Sequence, residues 1–447
     1  MPMRSLEQWL AHQEKVHPHS IDLGLTRLLR VLERLHWRQP AVPVITVAGT
    51  NGKGSVVAYC AAMLAAAGYR VGTFTSPHLR DYRERICVNG AEVGSEALVW
   101  AFERIEEACT DSARERVSLT FFEYSALAAL LIFEAAELDA WVLEIGMGGR
   151  LDAVNVIDPT VAVVVSIGLD HQEFLGSTID SIAREKAGIF RARTPAVLGS
   201  SGMPSVLATM AQEIGAPLKR LGLEYTFNRH ADRWHYRGPR WDLSDLPSPA
   251  LLGDTQFCNA AAAVAALEEL TQRLPLPAEA VARGLCSVQL AGRFQVIAAT
   301  GRPTWILDVA HNPDAAGVLA SNLRARPIAG RTLAVCGILA DKDAAGVAYQ
   351  LRDRIDEWWL ISTEGARSTT SAALAARIAP QIEVRLNEAH SIAAACAAAS
   401  SAASPGDRIV VFGSFHTVGP AMDWLEARGL LPPPPHPEYT APPNDHE

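Results

Sequence analysis

The feature that most constrains this chain is a regular alternation of short β-branched runs with longer helical segments. "PVITVAG" (43–49) leads into a helical stretch at 55–68, and "DAWVLEIGM" (139–147) and "TVAVVVSIG" (160–168) have the composition of further strands. Strands without polar alternation are buried on two faces, as in a parallel sheet covered by helices. The sequence therefore predicts an α/β fold built on a mostly parallel sheet with helices on both faces.

A second alternating series begins near residue 304, with the strand-like runs "TWILDVA", "TLAVCGIL", "EWWLIST" and "RIVVFGS". Because 447 residues exceed what one core ordinarily supports, we expect two domains. The larger one covers 1–296 and includes an irregular small β region at 216–253. A smaller, doubly wound, Rossmann-like domain covers 297–430, and the proline-rich tail at 431–447 is predicted to be disordered.

Composition and charge exclude several classes of protein. The formal net charge of −9 argues against a nucleic-acid-binding surface, and no strongly apolar stretch approaches the roughly 20 residues of a membrane span. The N-terminal segment carries charges and histidines where a secretory signal needs an apolar core. Seven cysteines, an odd number without a C-x-x-C pair, suit reduced thiols better than disulfides or a zinc site. We expect a cytoplasmic protein without nucleic-acid or membrane partners.

The stretch "VITVAGTNGKGSV" (44–56) is similar to a phosphate-binding loop but departs from its usual spacing. Two residues rather than four separate Gly49 from Gly52, and Gly54 stands where a metal-binding hydroxyl normally follows the lysine. A strand, a glycine turn and a helix start still direct several backbone N–H groups to one point, where the helix dipole favours an anion. The loop therefore predicts a phosphate site. The alternative is a glycine-rich turn with a surface lysine.

A carboxylate at a strand end offers a metal ligand for such a site. Glu144 closes the run "AWVLE" directly before a glycine turn, at the sheet edge where α/β proteins bind ligands. Burying a carboxylate is costly unless it meets a cation, and Mg²⁺ prefers hard oxygen ligands. The alternative is a hydrogen-bonded structural acid.

Ten further motifs, taken with the loop, resemble the folylpolyglutamate synthase/dihydrofolate synthase branch of the Mur ligase superfamily. They are "IDLGL" (21–25), "TSPHL" (75–79), "FFE" (121–123), "LEIGMGGRLDAVN" (143–155), "SIGLDH" (166–171), "EKAGI" (185–189), "AGRFQ" (291–295), "DVAHNP" (308–313), "DKD" (341–343) and "FGSFHTV" (412–418). The resemblance covers nearly everything from residue 20 to 430. It implies a Mur-ligase-type P-loop ATPase domain followed by a Rossmann-like glutamate-ligase domain.

The same resemblance implies the cofactors. ATP and two Mg²⁺ sites are expected, with room for a monovalent cation. Ser76, Glu144 and His171 match the family's metal ligands, so the hydroxyl missing after the loop lysine would come from a different strand. Lys186 matches a lysine that is commonly carbamylated in the family. Without the resemblance, Ser76 is simply a turn residue, His171 a surface histidine and Lys186 a solvated helix lysine.

The nucleotide is expected to bridge the two domains. The matching nucleotide-binding residues are Gly49, Thr50, Asn51, Gly52, Lys53, Gly54, Ser55, Asn259, Arg293, Asp308 and His311. The residues expected to assist catalysis are Lys53, Lys186, His171 and Arg293. The alternatives are a helix-surface amide for Asn259 and a plain helix start for the segment around His311.

The resemblance also assigns positions to the pterin-bearing substrate. The matching residues are Asp22, Thr120, Phe122, Glu123, Asp152 and Asn155. Thr120 and Glu123 have the spacing of a capping box, which offers Glu123 a purely structural role, and Phe122 has an alternative in the core. Val154 replaces the threonine that is usual in this loop.

Together these residues imply an ATP-dependent amide ligase that adds L-glutamate to 7,8-dihydropteroate and to tetrahydrofolate through an acyl phosphate. The "IDLGL" segment is the feature that favours dual activity, and the resemblance implies a monomer. Three alternatives stay open: a folylpolyglutamate synthase alone, a cell-wall Mur ligase, and a nucleotide-binding regulator without ligase activity. Against the cell-wall enzyme stand "TSPHL" and "FGSFHTV", and too few residues precede the loop for the extra N-terminal domain that a nucleotide-sugar substrate normally needs.

Overall fold

The structure is a computed structural model that describes residues 4–110, 115–298, 300–365, 367–433 and 438–440. Its helices are α1 (Leu6–Val16), α2 (Thr26–Arg34), α3 (Lys53–Ala66), α4 (Ser95–Cys109), α5 (Phe121–Ala135), α6 (Gln172–Leu175), α7 (Ile179–Ala187), α8 (Ser205–Ile214), α9 (Thr255–Glu269), α10 (Ala278–Ser287), α11 (Pro313–Ala325), α12 (Ala344–Leu351), α13 (Ser371–Ile378), α14 (Ile392–Ala402) and α15 (Phe415–Glu426). Its strands are β1 (Val44–Ala48), β2 (Val71–Phe74), β3 (Ile86–Val88), β4 (Ala91–Val93), β5 (Ala140–Glu144), β6 (Val161–Val164), β7 (Ala196–Leu198), β8 (Leu218–Arg220), β9 (Thr226–His230), β10 (Arg233–Arg237), β11 (Asp242–Pro247), β12 (Gln295–Ile297), β13 (Thr304–Leu307), β14 (Thr332–Cys336), β15 (Glu357–Ile361), β16 (Arg385–Ala389), β17 (Arg408–Phe412) and β18 (Glu438–Tyr439).

A nine-stranded sheet organises the first part of the chain, in the order β18-β4-β3-β2-β5-β1-β6-β7-β8. The central β1 pairs in parallel with β5 and β6, whereas the β2–β3 and β3–β4 pairs are antiparallel. Alternate residues of β1 enter opposite cores: Val44 and Ala48 pack with α4 and α5, and Ile45 and Val47 pack with α3 and α9. The predicted α/β fold, with a mostly parallel sheet covered on both faces, is confirmed.

The second sheet has six strands in the order β12-β13-β17-β14-β15-β16, and all its pairs are parallel except β12–β13. It too is buried on both faces, since Ile306 packs with α11 and α12 while Trp305 and Leu307 pack with α14 and α15. The structure assigns Gln295 and Val296 to this sheet, whereas the sequence placed them in the first domain. A three-residue edge strand is too short to show a periodic pattern.

The region at 216–253 divides between two sheets. Its first strand, β8, extends the nine-stranded sheet in parallel with β7, and β9, β10 and β11 form a separate antiparallel sheet. The prediction of short antiparallel strands here therefore describes β9–β11 but misses β8.

Within the tail that was predicted to be disordered, the structure describes one short strand. Glu438 and Tyr439 form β18, which pairs in parallel with β4, and Gly94 N donates a 2.9 Å hydrogen bond to Tyr439 O. Arg83 also forms an ion pair with Glu438. Proline-rich composition conceals this short strand. Residues 434–437 and 441–447 lie outside the described residues.

The carboxyl ends of both sheets face each other across a cavity of about 960 Å³. The loops after β1, β2, β5 and β6 line it from one side, and the loops after β13, β14 and β17 line it from the other. In the part of the chain that the structure describes, no helix has both the length and the hydrophobicity needed to cross a bilayer.

Candidate active site

All the predicted site residues except Asn155 line this one cavity. They come from segments far apart in the chain, and the common position of parallel strand ends brings them together. Side chains from the loops of both sheets line the cavity, so a molecule bound in it would contact both domains.

The glycine-rich loop is held open by contacts to the segment after β6. Thr50 N donates to Ser166 O at 2.9 Å, and Asn51 N donates to Ser166 Oγ at 2.9 Å. Gly52, the residue before α3, has a left-handed φ of 88°, and a Cβ there would lie 2.8 Å from Asn259 Oδ1. Glycine is therefore favoured at this point. The first turn of α3 lines the cavity, and helix geometry leaves its first N–H groups without intrahelical partners, as in an anion site.

Two lysines converge on the same carbonyl of this loop. Lys53 Nζ donates to Gly49 O at 3.2 Å, and Lys186 Nζ donates to it at 3.0 Å. Lys186 is only 4% exposed, which rules out the reading of a solvated helix lysine. Burial, together with the nearby charge of Lys53, lowers the pKa of Lys186 to about 7. A substantial fraction of this amine is therefore neutral at physiological pH.

Glu144 and Ser76 meet at the ends of β5 and β2. Glu144 Oε2 accepts a 3.3 Å hydrogen bond from Ser76 N, and Oε1 lies 3.9 Å from Lys53 Nζ. Burial raises the pKa of Glu144, while the charges of Lys53 and Arg293 oppose that shift. A buried carboxylate beside a hydroxyl residue, open to the cavity, is a donor set that fits a hard divalent cation.

His171 has different neighbours. It adopts a left-handed φ of 51° before α6, and its Nε2 lies 3.4 Å from Lys342 Nζ. Burial and the Lys342 charge lower the pKa of His171 to about 4, so the ring is neutral at pH 7. Within the described ranges, no hydrogen bond or ion pair joins His171 to Ser76 or Glu144. Nor do those ranges contain a cluster of three or more His, Cys, Asp or Glu side chains suited to a metal.

A polar network joins the two sheets around Asp170, a residue that the sequence analysis did not single out. Its Oδ1 accepts from Lys342 Nζ at 2.5 Å, and its Oδ2 accepts from Asn312 Nδ2 at 3.1 Å and lies 3.3 Å from His311 Nε2. Burial opposes ionisation, but hydrogen bonding to His311 and the neighbouring positive charges hold the pKa of Asp170 well below its usual range. The motifs "SIGLDH" and "DKD" contain Asp170 and Lys342, but no spacing in the sequence pairs them.

Arg293 and Asp308 lie where the second sheet approaches the loop. A Cβ on Gly54 would sit 3.7 Å from Arg293 Nη2 and 3.5 Å from Glu144 Oε2, so the guanidinium reaches the start of α3. Asp308 accepts from Phe294 N at 2.9 Å and Ala310 N at 2.8 Å, and burial raises its pKa to about 6. Asp308 therefore shapes this turn and still presents free lone pairs to the cavity.

Two of the predicted substrate residues, Asp22 and Glu123, bind Arg27, which the sequence analysis did not single out. Its guanidinium bonds Asp22 Oδ2 at 2.6 Å and Glu123 Oε1 at 2.9 Å. Glu123 also caps α5, accepting from Thr120 N at 2.7 Å, so the capping-box reading describes a real contact. Because α2 carries no motif at this position, only the folded structure reveals the arginine.

The loop after β5 orders the remaining substrate positions. The Phe122 ring packs on Gly146, where a Cβ would lie 2.5 Å from it. Asp152 accepts from Met147 N at 2.8 Å and Val154 N at 3.0 Å, and burial raises its pKa to about 7.

Asn155 does not reach the cavity. Its Nδ2 donates to Arg150 O and Gly188 O, each at 3.1 Å, and its Oδ1 accepts from Arg191. The short 3₁₀ helix that starts after Asp152 turns the side chain toward the end of α7, where it fixes two loops. In this structure the residue positions backbone rather than substrate.

Arg85 is a further cavity residue without a sequence signal. It is 8% exposed, and its guanidinium lies over the rings of Tyr82 and Phe121 at 5.5 and 5.4 Å. Its Nε bonds His78 Nδ1 at 2.8 Å, and among the described residues it forms no ion pair. A buried cation that lacks a carboxylate partner suits an anionic group of a bound molecule.

Comparison with known proteins identifies this arrangement. Models of the Mur ligase middle domain and of the Mur ligase, glutamate ligase domain match residues 47–267 and 292–415. The dihydrofolate synthase/folylpolyglutamate synthase of Escherichia coli (strain K12) is 43% identical over 423 residues, covering 95% of this chain and 96% of that protein.

Two solved structures have the same fold over nearly the whole length. E. coli FolC in complex with DHPP and ADP gives a TM-score of 0.89 at 43% identity, covering 95% of this chain and 99% of that one. A bifunctional folylpolyglutamate synthase/dihydrofolate synthase with Mn, AMPPNP and L-glutamate bound gives 0.86 at 41% identity, covering 95% and 98%. The chain therefore belongs to the dihydrofolate synthase/folylpolyglutamate synthase family of Mur ligases.

Proposed function

We propose that the protein is an ATP-dependent amide ligase that joins L-glutamate to 7,8-dihydropteroate and to tetrahydrofolate. The observation that carries this function is one cavity into which the phosphate loop, the Ser76–Glu144 pair and the unpaired Arg85 all open. The two related structures hold DHPP with ADP, and Mn with AMPPNP and L-glutamate, in chains of the same architecture.

Charge stabilisation falls to residues around the loop. Lys53, Arg293 and the N–H groups at the start of α3 are placed to neutralise the phosphates of ATP. Glu144 and Ser76 are the residues that would hold a divalent cation, and such an ion supplies further charge neutralisation on the transferred phosphoryl group. His171 lies beside Lys342, with its Nε2 3.4 Å from Lys342 Nζ.

The chemistry needs two displacements. A carboxylate oxygen of the pteroate or folate attacks the γ-phosphorus, which forms an acyl phosphate and releases ADP. The free amine of L-glutamate then attacks the acyl carbon, loses a proton, and phosphate leaves with the former carboxylate oxygen. The protein positions the three reactants and excludes water from the acyl phosphate. Arg85 is suited to bind a substrate carboxylate other than the one that attacks ATP.

Three finer features belong to the same proposal. A carbamylated Lys186 is supported by its buried amine with a pKa near 7, because only the neutral amine reacts with CO₂. A monomer is supported by a cavity that one chain encloses with both of its sheets. A cytoplasmic location is supported by seven free cysteines.

The test is phosphate release by the purified protein with ATP, Mg²⁺ and L-glutamate, with either 7,8-dihydropteroate or tetrahydrofolate added. Release with both substrates is expected, and the Lys53→Met variant, which lacks the loop ammonium, should be silent with both. Release with tetrahydrofolate alone would restrict the function to folylpolyglutamate synthesis. Silence of the wild-type protein with both substrates, alongside measurable ATP binding, would favour a nucleotide-binding regulator.

A further inference from the structure

The segment between β2 and β3, residues 75–85, connects the cavity with the second domain. Ser76 and Arg85, close to the two ends of the segment, line the cavity. Leu79, between them, packs against the core of the second sheet on the side that α14 and α15 cover. A Cβ on Gly292 would lie 3.4 Å from both Leu79 Cδ1 and Val418 Cγ1, so the leucine reaches the buried face of α15. The segment therefore contacts both the cavity and the second domain.

Hydrogen bonds within the segment hold it in one conformation. Glu84 Oε2 accepts from Leu79 N at 2.6 Å, and Glu84 Oε1 accepts from Arg80 N at 2.8 Å. Thr75 N donates to Arg85 O at 2.9 Å, which joins the two ends of the segment. Because these bonds connect its backbone from end to end, we expect a displacement at Arg80 to reach Arg85.

One face of α15 runs along this segment. His416, Gly419, Asp423 and Glu426 follow one another at spacings of three or four residues, which places them on one side of the helix. His416 lines the cavity, and a Cβ on Gly419 would collide with the carbonyl oxygen of Leu79. The helix and the segment are therefore in close backbone contact.

Arg80 joins the segment to the end of this face that is farther from the cavity. Its Nε donates to Asp423 Oδ1 and its Nη2 donates to Glu426 Oε2, each at 2.5 Å. The Arg80 side chain is 21% exposed, whereas Asp423 is 58% exposed. A guanidinium that binds two carboxylates at once is held in one geometry, which a single surface ion pair rarely achieves.

The other end of the same face lies in a cationic part of the cavity. Arg85, His416 and Arg367 all line it, and burial together with the charges of Arg367 and Arg85 lowers the pKa of His416. Arg85 comes from the first domain, while His416 and Arg367 come from the second. The docking of the two domains therefore sets the spacing of these groups, and an anion bound among them would contact both domains.

We propose that Arg80 is a positioning residue for the binding of L-glutamate. It holds α15 against the segment 75–85 and so keeps Arg85 and His416 at a spacing suited to a carboxylate. When dihydropteroate is the acceptor, every carboxylate that does not attack ATP belongs to L-glutamate, so the affinity for glutamate depends on this spacing. The inference rests on the proposed function, which brings L-glutamate into this cavity.

The experiment measures phosphate release with 7,8-dihydropteroate, ATP and Mg²⁺ while the concentration of L-glutamate is varied. Arg80→Ala should raise the KM for L-glutamate by about threefold to tenfold, the worth of two partly exposed ion pairs, with kcat retained and the KM for ATP changed by less than about twofold. Arg80→Lys keeps the charge without the two-pronged guanidinium and should recover part of the affinity. Arg83→Ala is the matched control, because it removes an ion pair of the same segment, with Glu438, that does not involve α15.

A second background distinguishes positioning from a general loss of stability. In a protein that already carries Asp423→Ala and Glu426→Ala, the Arg80 side chain has lost both carboxylates, so adding Arg80→Ala should leave the KM for L-glutamate unchanged. A folded Arg80→Ala protein with the wild-type KM for L-glutamate would overturn the proposal. An equal rise of this KM in Arg83→Ala would overturn it as well, since the contact with α15 would then not be the cause.

Hydrogen exchange tests the contact without turnover. The backbone amides of residues 75–85 should exchange faster in Arg80→Ala than in the wild-type protein, because the segment loses its attachment to α15. Unchanged exchange would overturn the positioning role. Faster exchange in a protein that turns over no substrate would contradict the proposed ligase while supporting the role of Arg80 in holding the segment.

Discussion

Asn51 and Asn312 form a reciprocal amide pair between the phosphate loop and the first turn of α11. Asn51 Nδ2 donates to Asn312 Oδ1 at 3.2 Å, and Asn312 Nδ2 donates to Asn51 Oδ1 at 3.1 Å. Asn312 Oδ1 also caps α11 by accepting from Ala315 N at 2.9 Å. The Asn312 side chain thus caps the start of α11 and also binds the phosphate loop.

Two substitutions of Asn312 distinguish its role as a helix cap from its role in the amide pair with Asn51. Asn312→Ala loses the cap and the amide pair and should lower the free energy of unfolding by about 2 kcal/mol. Asn312→Ser keeps a capping oxygen and should recover about half of that loss, while both variants raise the KM for ATP because Asn51 loses its partner. Chemical denaturation and steady-state kinetics measure the two effects. An unchanged KM in both variants would show that the pair does not order the loop.

The contact between Lys342 and Asp170 joins the loops of the two sheets, so we expect substitutions of these two residues to have coupled effects on the free energy of unfolding. The two side chains are 6% and 9% exposed, and their charged atoms are 2.5 Å apart. Lys342→Met leaves a buried carboxylate with one partner fewer and should cost about 3 kcal/mol, whereas adding Asp170→Asn should cost less than the sum of the single changes. A double-mutant cycle by chemical denaturation measures this coupling, and additive effects would argue against the ion pair.

Lys186 predicts a pH dependence of stability with a definite sign. The unfolded chain keeps the proton up to about the ordinary value of 10.5, while the folded chain loses it near 7, where burial has set the pKa. Between these values the unfolded state binds more protons, so rising pH favours the folded state by up to about 1.4 kcal/mol per unit. The stability of the wild-type protein relative to Lys186→Met should therefore increase from pH 7 to pH 9 in CO₂-free buffer. A flat difference would contradict a buried, neutral lysine.

The strand β18 predicts a role for the end of the tail. Ending the chain after Pro433 removes its pairing with β4 and the Arg83–Glu438 ion pair, and it leaves β4 as an open sheet edge. We expect the melting temperature to fall by about 1–2 °C, as a loss of about 1 kcal/mol implies for a chain of this size. Ending the chain after Thr440 retains the strand and is the matched control. Equal melting temperatures for the two truncations would show that β18 adds no stability.

Sequence reasoning succeeded where a motif and a strand end coincide. Glu144 was expected at the site because it closes a buried strand, Ser76 was expected there from the resemblance of its motif, and a 3.3 Å hydrogen bond from Ser76 N to Glu144 Oε2 joins them. Sequence reasoning did not identify Arg27 and Arg85. Both lie outside the recognised motifs, and their importance depends on contacts with segments that are distant in the chain. The strand β16 was not predicted because "RLNEA" has no apolar alternation. The motif around Asn155 does not reveal that a 3₁₀ turn directs its amide toward Arg150 and Gly188.

The most direct test of an amide ligase with an acyl phosphate intermediate follows one oxygen atom. 7,8-Dihydropteroate labelled with ¹⁸O in its carboxylate is turned over with ATP, Mg²⁺ and L-glutamate, and the released phosphate is analysed by mass spectrometry. We expect each phosphate to carry one ¹⁸O from the substrate carboxylate. Phosphate free of the label would contradict attack of the carboxylate on ATP, and with it the central claim about this cavity.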